Sequence, residues 1–163
     1  MQKNNQGFNL IEIIVSIAVV AMLLGIASVS LAKSKEKTRD TIRKGDISQI
    51  GRLLSLDCYL PEQGGGTYDI SEVLDDLSDK YPKQTTYLTG SLKDPSSTSD
   101  ETLYKYTVTD DGKHCVLYTN LENETEITTL PDISKPTMGG KIGVFEDVVA
   151  GWNGSKKYYQ MSR

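Results

Sequence analysis

The chain has 163 residues, 37% hydrophobic and 25% charged, with a formal net charge of −4; this is a one-domain length with ordinary globular composition. Without a domain-wide basic excess, nucleic acid is not indicated as the main partner. Two cysteines, Cys58 and Cys115, with one histidine, His114, and no CxxC pair do not by themselves make a structural zinc site.

From Ile13 to Ala32 the chain runs 20 residues without a charge, IIVSIAVVAMLLGIASVSLA. As a helix this is about 30 Å, enough to cross the hydrocarbon core of a bilayer. A cleaved secretory signal would have a basic start, a shorter apolar run and a small-residue cleavage site after it. Only Lys3 precedes this run, so the pattern predicts a retained helix. Glu12 stands two residues into the apolar stretch that begins at Leu10. An unpaired carboxylate at membrane depth costs at least about 2.5 kcal/mol. Glu12 therefore either reaches water at the interface or meets a partner.

The setting of Glu12 is Gly7-Phe8-Asn9-Leu10-Ile11-Glu12-Ile13, which resembles the GFTLIE-type signature of type IV prepilins and type II secretion pseudopilins. Asn9 stands where that signature usually has Thr or Ser. The resemblance implies cleavage between Gly7 and Phe8 by a membrane prepilin peptidase, then methylation of the new amine on Phe8. Glu12 becomes the fifth residue of the mature chain. It also implies that Glu12 pairs with the Phe8 amine of a neighbouring subunit and so sets register in a helical bundle. In low dielectric such a pair is strong and its loss heavily penalised.

Between Lys33 and Lys44 lie six basic residues (Lys33, Lys35, Lys37, Arg39, Arg43, Lys44) and two acidic ones, Glu36 and Asp40. The positive-inside rule alone would put this flank in the cytoplasm. The resemblance implies the reverse, with the leader inside and the domain outside, and that topology is the expectation adopted. No proline precedes Pro61, so the helix is predicted to continue to about Leu60, roughly 75 Å in all. Ile47, Ile50, Leu53, Leu54 and Cys58 form one apolar stripe along it. Gly45 and Gly51 weaken it by about 1 kcal/mol each relative to Ala. Thr38 to Leu56 also resembles the segment that follows the membrane helix in many bacterial pilins and pseudopilins.

Gly64-Gly65-Gly66 reads as a flexible loop and, lacking GK[ST], not as a phosphate cradle. Asp69 to Tyr81 reads as a short amphipathic helix with Asp69 and Glu72 as a capping box. Its acidic run, Glu72, Asp75, Asp76 and Asp79, reads as a solvated face. Leu103–Thr109 and His114–Thr119 read as a hairpin turning at Asp111-Gly112, with Val108 opposite Cys115 and Tyr106 opposite Leu117. That register gathers Tyr104, Tyr106, Val108, Cys115 and Leu117 on one face, against the stripe that includes Cys58. The two cysteines are then either a disulfide, if the domain is exported, or two separate buried thiols. Further strands are expected near Glu126–Leu130 and Lys156–Met161. Lys93-Asp94-Pro95 and the run from Tyr104 to Glu122 look similar to the carboxy-terminal halves of pseudopilin-like proteins. The late segment does not reproduce the calcium loop of major pseudopilins, and Asn153-Gly154-Ser155 reads as a turn.

The fold class expected is α+β and pilin-like, a long amino-terminal helix, transmembrane in its first half, packed against a small antiparallel sheet domain. The segments expected are a leader at 1–7, a membrane and filament-core helix at 8–32, its amphipathic continuation at 33–60, and an extracytoplasmic domain at 61–163. The resemblance implies a filament subunit of a pilus or pseudopilus. A membrane-anchored enzyme is disfavoured by the residues, since the one histidine, His114, stands beside an expected turn and no Ser/His/Asp set, paired catalytic carboxylates or metal cluster is apparent; no catalytic residue, cofactor or metal is expected. The alternative is a minor, tip-located pilin binding DNA, a surface or a secreted substrate. Implied partners are further copies of the chain, other pilins, the prepilin peptidase and the platform protein of the assembly machine. The implied location is the bacterial inner membrane, single-pass with a cytoplasmic amino terminus, and after assembly a surface pilus or a periplasmic pseudopilus.

Overall fold

A computed structural model describes residues 9–54, 58–80, 82, 92–97 and 102–163. It divides into two compact units, Met1–Lys35 and Glu36–Arg163. The first helix, α1, is assigned over Leu10–Leu54 and contributes to both. In the first unit the side chains that are described are exposed. In the second, Ile47, Ile50 and Leu54 are buried in a core with the sheet. The side chain of Leu53, the stripe's remaining helical member, lies outside what is described.

The helix is shorter than expected. Cys58, Tyr59 and Leu60 are not helical, and the restriction that Pro61 places on Leu60 disfavours a helical residue there. Gly51 also proves to have a packing role. A Cβ at this position would sit 2.2 Å from Met161 Sδ, so the glycine lets the carboxy-terminal strand close on the helix.

After the helix come β1 (Gly66–Asp69), α2 (Ile70–Lys80), β2 (Tyr104–Val108), β3 (Cys115–Asn120), β4 (Ile142–Glu146) and β5 (Lys157–Ser162). The five strands form one antiparallel sheet in the order β1-β2-β3-β5-β4. The architecture is the expected α+β, pilin-like one. The β2–β3 hairpin has the expected register, Tyr106 opposite Leu117 and Val108 opposite Cys115. Its inward face, Tyr104, Tyr106, Val108, Cys115 and Leu117, packs on Ile47, Ile50 and Leu54 and on Ile70, Val73, Leu74 and Leu77 of α2. Asp69 caps α2 by accepting the Ser71 N–H at 3.0 Å; Tyr81 lies outside the described residues.

Two local expectations are corrected. Gly66 is not loop but the first residue of β1, opposite Val108. Glu126–Leu130 is not a strand. The N–H groups of Thr129 and Leu130 both donate to the Val144 carbonyl, at 2.9 and 2.8 Å, a single point of attachment where a ladder would alternate partners. The strand beside it is β4, which the sequence pattern did not suggest.

Candidate functional site

Gly7 and Phe8 lie outside the described residues. Just beyond them Asn9 starts α1, its carbonyl accepting the Glu12 N–H at 2.9 Å and its side-chain oxygen facing the Ile11 N–H at 3.5 Å. Asn is among the best capping residues, so Asn9 does at this position what Thr or Ser would do. Glu12 falls in the first turn, where the helix dipole favours a negative charge, and its side chain is exposed. Behind it Leu10, Ile11, Ile13, Ile14, Val15, Ile17, Val19, Val20, Met22, Leu23, Leu24, Ile26 and Leu31 are all exposed. Ser16 and Ser28 donate their hydroxyls to the carbonyls of Glu12 and Leu24 at 2.6 and 2.8 Å. These back-bonds leave the helix with no unsatisfied hydroxyl donor at either serine, as a lipid environment requires. This is the one helix among the described residues long and apolar enough to cross a membrane.

Within the domain, the basic flank is largely consumed. Arg43 is fully buried, with Nε 2.6 Å from Asp94 Oδ2, Nη1 2.8 Å from Asp40 Oδ1, and Nη2 2.8 Å from Asp94 Oδ1. Its Nη2 also reaches Ser96 Oγ and Glu122 Oε1, both at 2.6 Å, and the Trp152 ring lies over its guanidinium at 5.0 Å. Arg39 pairs with Glu122, and Lys44 with Glu126. Asp40 additionally accepts the backbone N–H groups of Glu122 and Asn123 at 2.9 and 2.8 Å. Burial would lower the pKa of Arg43, but these carboxylate partners raise it well above its ordinary value. Burial would raise Asp94; the Arg43 and Ser96 donors reverse this and hold it below the usual carboxylate range.

The cluster clamps α1 to the 92–97 segment and to the chain after β3. Sequence reasoning counted these residues only as positive charge. Apart from Asp40, three positions before Arg43, their carboxylate partners are 51 to 83 positions away in the chain, and no local pattern announces such pairs. Lys33, Lys35 and Lys37 are the exposed remainder of the flank.

Cys58 and Cys115 are bonded, joining the segment after α1 to the start of β3 across 57 positions. His114 is exposed beside the hairpin turn. Among the described residues no group of three or more His, Cys, Asp or Glu side chains could hold a metal ion. Glu72, Asp75 and Asp79 are exposed, and Asp76 accepts the Tyr59 hydroxyl at 3.3 Å.

A family model, the prokaryotic N-terminal methylation motif, matches residues 2–28. Comparison with curated proteins and with solved structures finds no match. The matched motif, together with the apolar helix and the α+β domain, supports a type IV pilin-like protein with a prepilin-type signal, processed by a prepilin peptidase.

Proposed function

We propose that the chain is a structural subunit of a type IV pilus or pseudopilus filament, assembled through the first part of α1. The observation that carries this reading is the apolar surface from Leu10 to Leu31, exposed on all sides and interrupted by one carboxylate, Glu12, directly after the methylation motif. A helix apolar all round belongs in a membrane or in a shared helical core; a filament subunit uses it for both in turn. Cleavage falls between Gly7 and Phe8, the Phe8 amine is methylated, and Glu12 of one subunit pairs with the Phe8 amine of its neighbour. Segments 1–7, 8–32, 33–60 and 61–163 then serve as leader, anchor and core, continuation, and extracytoplasmic domain. The pilin-type motif points to a structural protein rather than an enzyme.

Mass spectrometry of the mature amino terminus tests the scheme. A chain beginning at methylated Phe8 supports it, and an intact Met1 or a cut after Ala32 sinks it. Glu12→Ala should be processed normally yet yield few filaments, and wild-type filament yield from that variant would remove the pairing argument. Abundance in sheared filaments supports the major-subunit reading; trace amounts move the chain to the tip, as a binding subunit.

A further inference from the structure

We propose that Lys44 and Asn123 close into an intramolecular amide, Nζ to Cγ, with Glu126 carrying the protons, so that α1 is stapled covalently to the chain after β3. All of these residues lie in the Glu36–Arg163 unit, and the proposal stands whether or not the chain assembles into filaments. Glu126 grips both reactants. Its Oε1 pairs with the Lys44 ammonium, and its Oε2 accepts the Asn123 Nδ2–H at 3.0 Å. One carboxylate thus holds the amine and the amide nitrogen together. The carboxamide oxygen is held as well: Asn123 Oδ1 accepts the Thr125 hydroxyl at 2.7 Å and the Thr125 N–H at 3.3 Å. The backbone fixes this arrangement. The Glu126 N–H donates to the Asn123 carbonyl at 3.1 Å, and the Asn123 N–H to Asp40 Oδ2 at 2.8 Å. Asn123 itself is buried. An ion pair alone would account for Lys44 and one oxygen of Glu126. It does not account for a carboxamide held at its oxygen by two donors and at its nitrogen by that same carboxylate.

Each group has a place in the reaction. An ammonium is no nucleophile, but the amine left when Glu126 Oε1 takes a proton from Nζ is one. Nζ then bonds to Asn123 Cγ, and the charge developing on Oδ1 meets the two Thr125 donors, as in an oxyanion hole. Glu126 passes its proton through Oε2 to Nδ2 and takes up the second proton that Nζ must shed. The Cγ–Nδ2 bond breaks, and ammonia leaves with that last proton as ammonium. The sum is a lysyl ammonium and a carboxamide giving a secondary amide and an ammonium ion. Nothing is oxidised or reduced, no co-reactant is consumed, and Glu126 ends as the carboxylate it was at the start. The reaction happens once per molecule, so a slow step suffices, and the fold supplies the proximity. Lys44 and Glu126 keep 26% and 28% of their side-chain surface open to solvent, which gives the departing ammonia a way out. Its dilution then makes the bond permanent, and reductants that open the disulfide leave it intact.

Peptide mapping by mass spectrometry of the purified full chain, digested after reduction of the disulfide, reads the bond. The expected result is a branched peptide joining the Lys44 and Asn123 segments, lighter by one ammonia than the two peptides summed, from most of the molecules. Lys44→Arg keeps a cation opposite Glu126 but has no nucleophilic amine, and should give the two segments separately and at full mass. Glu126→Gln cannot accept the proton and should do the same, with an unchanged near-ultraviolet circular dichroism spectrum. Separate segments at full mass from the wild-type chain overturn the proposal and leave an ion pair. Conversion of Asn123 to Asp overturns it as well, since water and not Lys44 would then have attacked Cγ. So does an ammonia deficit that maps to a succinimide at Asn153-Gly154 instead. A link that persists undiminished in Glu126→Gln overturns the assignment of Glu126 as the proton carrier.

Discussion

Replacing Arg43 by Met keeps most of the side-chain volume but removes the one cation that Asp94 faces in a fully buried setting. Asp94 would be left with the Ser96 N–H and hydroxyl, at 2.8 and 2.6 Å, and Asp40 with the backbone donors of Glu122 and Asn123. Breaking a buried pair from one side typically costs about 3–5 kcal/mol, because the remaining charge stays desolvated. Against a total of about 5–15 kcal/mol this is a large fraction, and it converts to a fall in Tm of roughly 10–20 °C. Thermal unfolding of the full chain in detergent, followed by near-ultraviolet circular dichroism of its nine tyrosines, measures it. In an Asp94→Asn background the same substitution should cost less, since the uncompensated charge is gone. A fall of less than about 3 °C, or equal falls in both backgrounds, would show that the cluster is not the clamp described. Arg43→Lys should fall between, since an ammonium cannot present the fork that meets Asp94 and Asp40 together.

Acid should reproduce part of that loss. Glu122 is held below its ordinary 4.5, mainly by Arg39, and Asp94 below 3.8 once the Arg43 bonds outweigh burial. A carboxylate depressed in the folded state contributes stability that is present above its unfolded pKa and lost as pH falls through the folded one. Wild-type Tm should therefore drop below about pH 4 while Arg43→Met changes less; parallel pH curves would contradict this. Reducing the Cys58–Cys115 bond, or replacing both cysteines by Ser, releases a closure of 57 positions and should cost about 4 kcal/mol on chain entropy. Urea denaturation with and without dithiothreitol reads this directly. Gly45 and Gly51 should respond to Ala with opposite signs. Gly45→Ala meets open space and should stabilise by up to about 1 kcal/mol. Gly51→Ala meets Met161 and should destabilise by about 1 kcal/mol or more.

The parts of the fold that follow a local period were legible in the sequence. The apolar run, the stripe of Ile47, Ile50 and Leu54, the face of α2 and the β2–β3 register each repeat at the spacing of a helix or strand. The register in turn placed Cys115 opposite the stripe and made the bond to Cys58 an expected option. What the pattern missed depends on distant partners. β1 is four residues begun by glycine, and it becomes a strand because β2 offers an edge. β4 is IGVFE, too short to read beside the more strand-like Glu126–Leu130. That segment gives only two N–H groups to one Val144 carbonyl. Gly51 read as a cost to the helix because Met161 lies 110 positions later. The Arg43 cluster is the largest omission, for the same reason.

The long separations inside that cluster also bear on the order in which the chain acquires its charge balance. Arg39 and Lys44 find their carboxylates 83 and 82 positions downstream, and Arg43 meets Asp94 51 positions downstream. A chain made from its amino terminus has synthesised the apolar span and all six flanking cations before any of those downstream acids exists. Whatever fixes the orientation of a nascent span therefore meets the flank in its fully cationic form, whereas the finished domain hides half of it. The neutrality visible in the folded protein arrives too late to help the flank across a membrane. An outward-facing domain then requires that orientation be decided by something other than this stretch of charge.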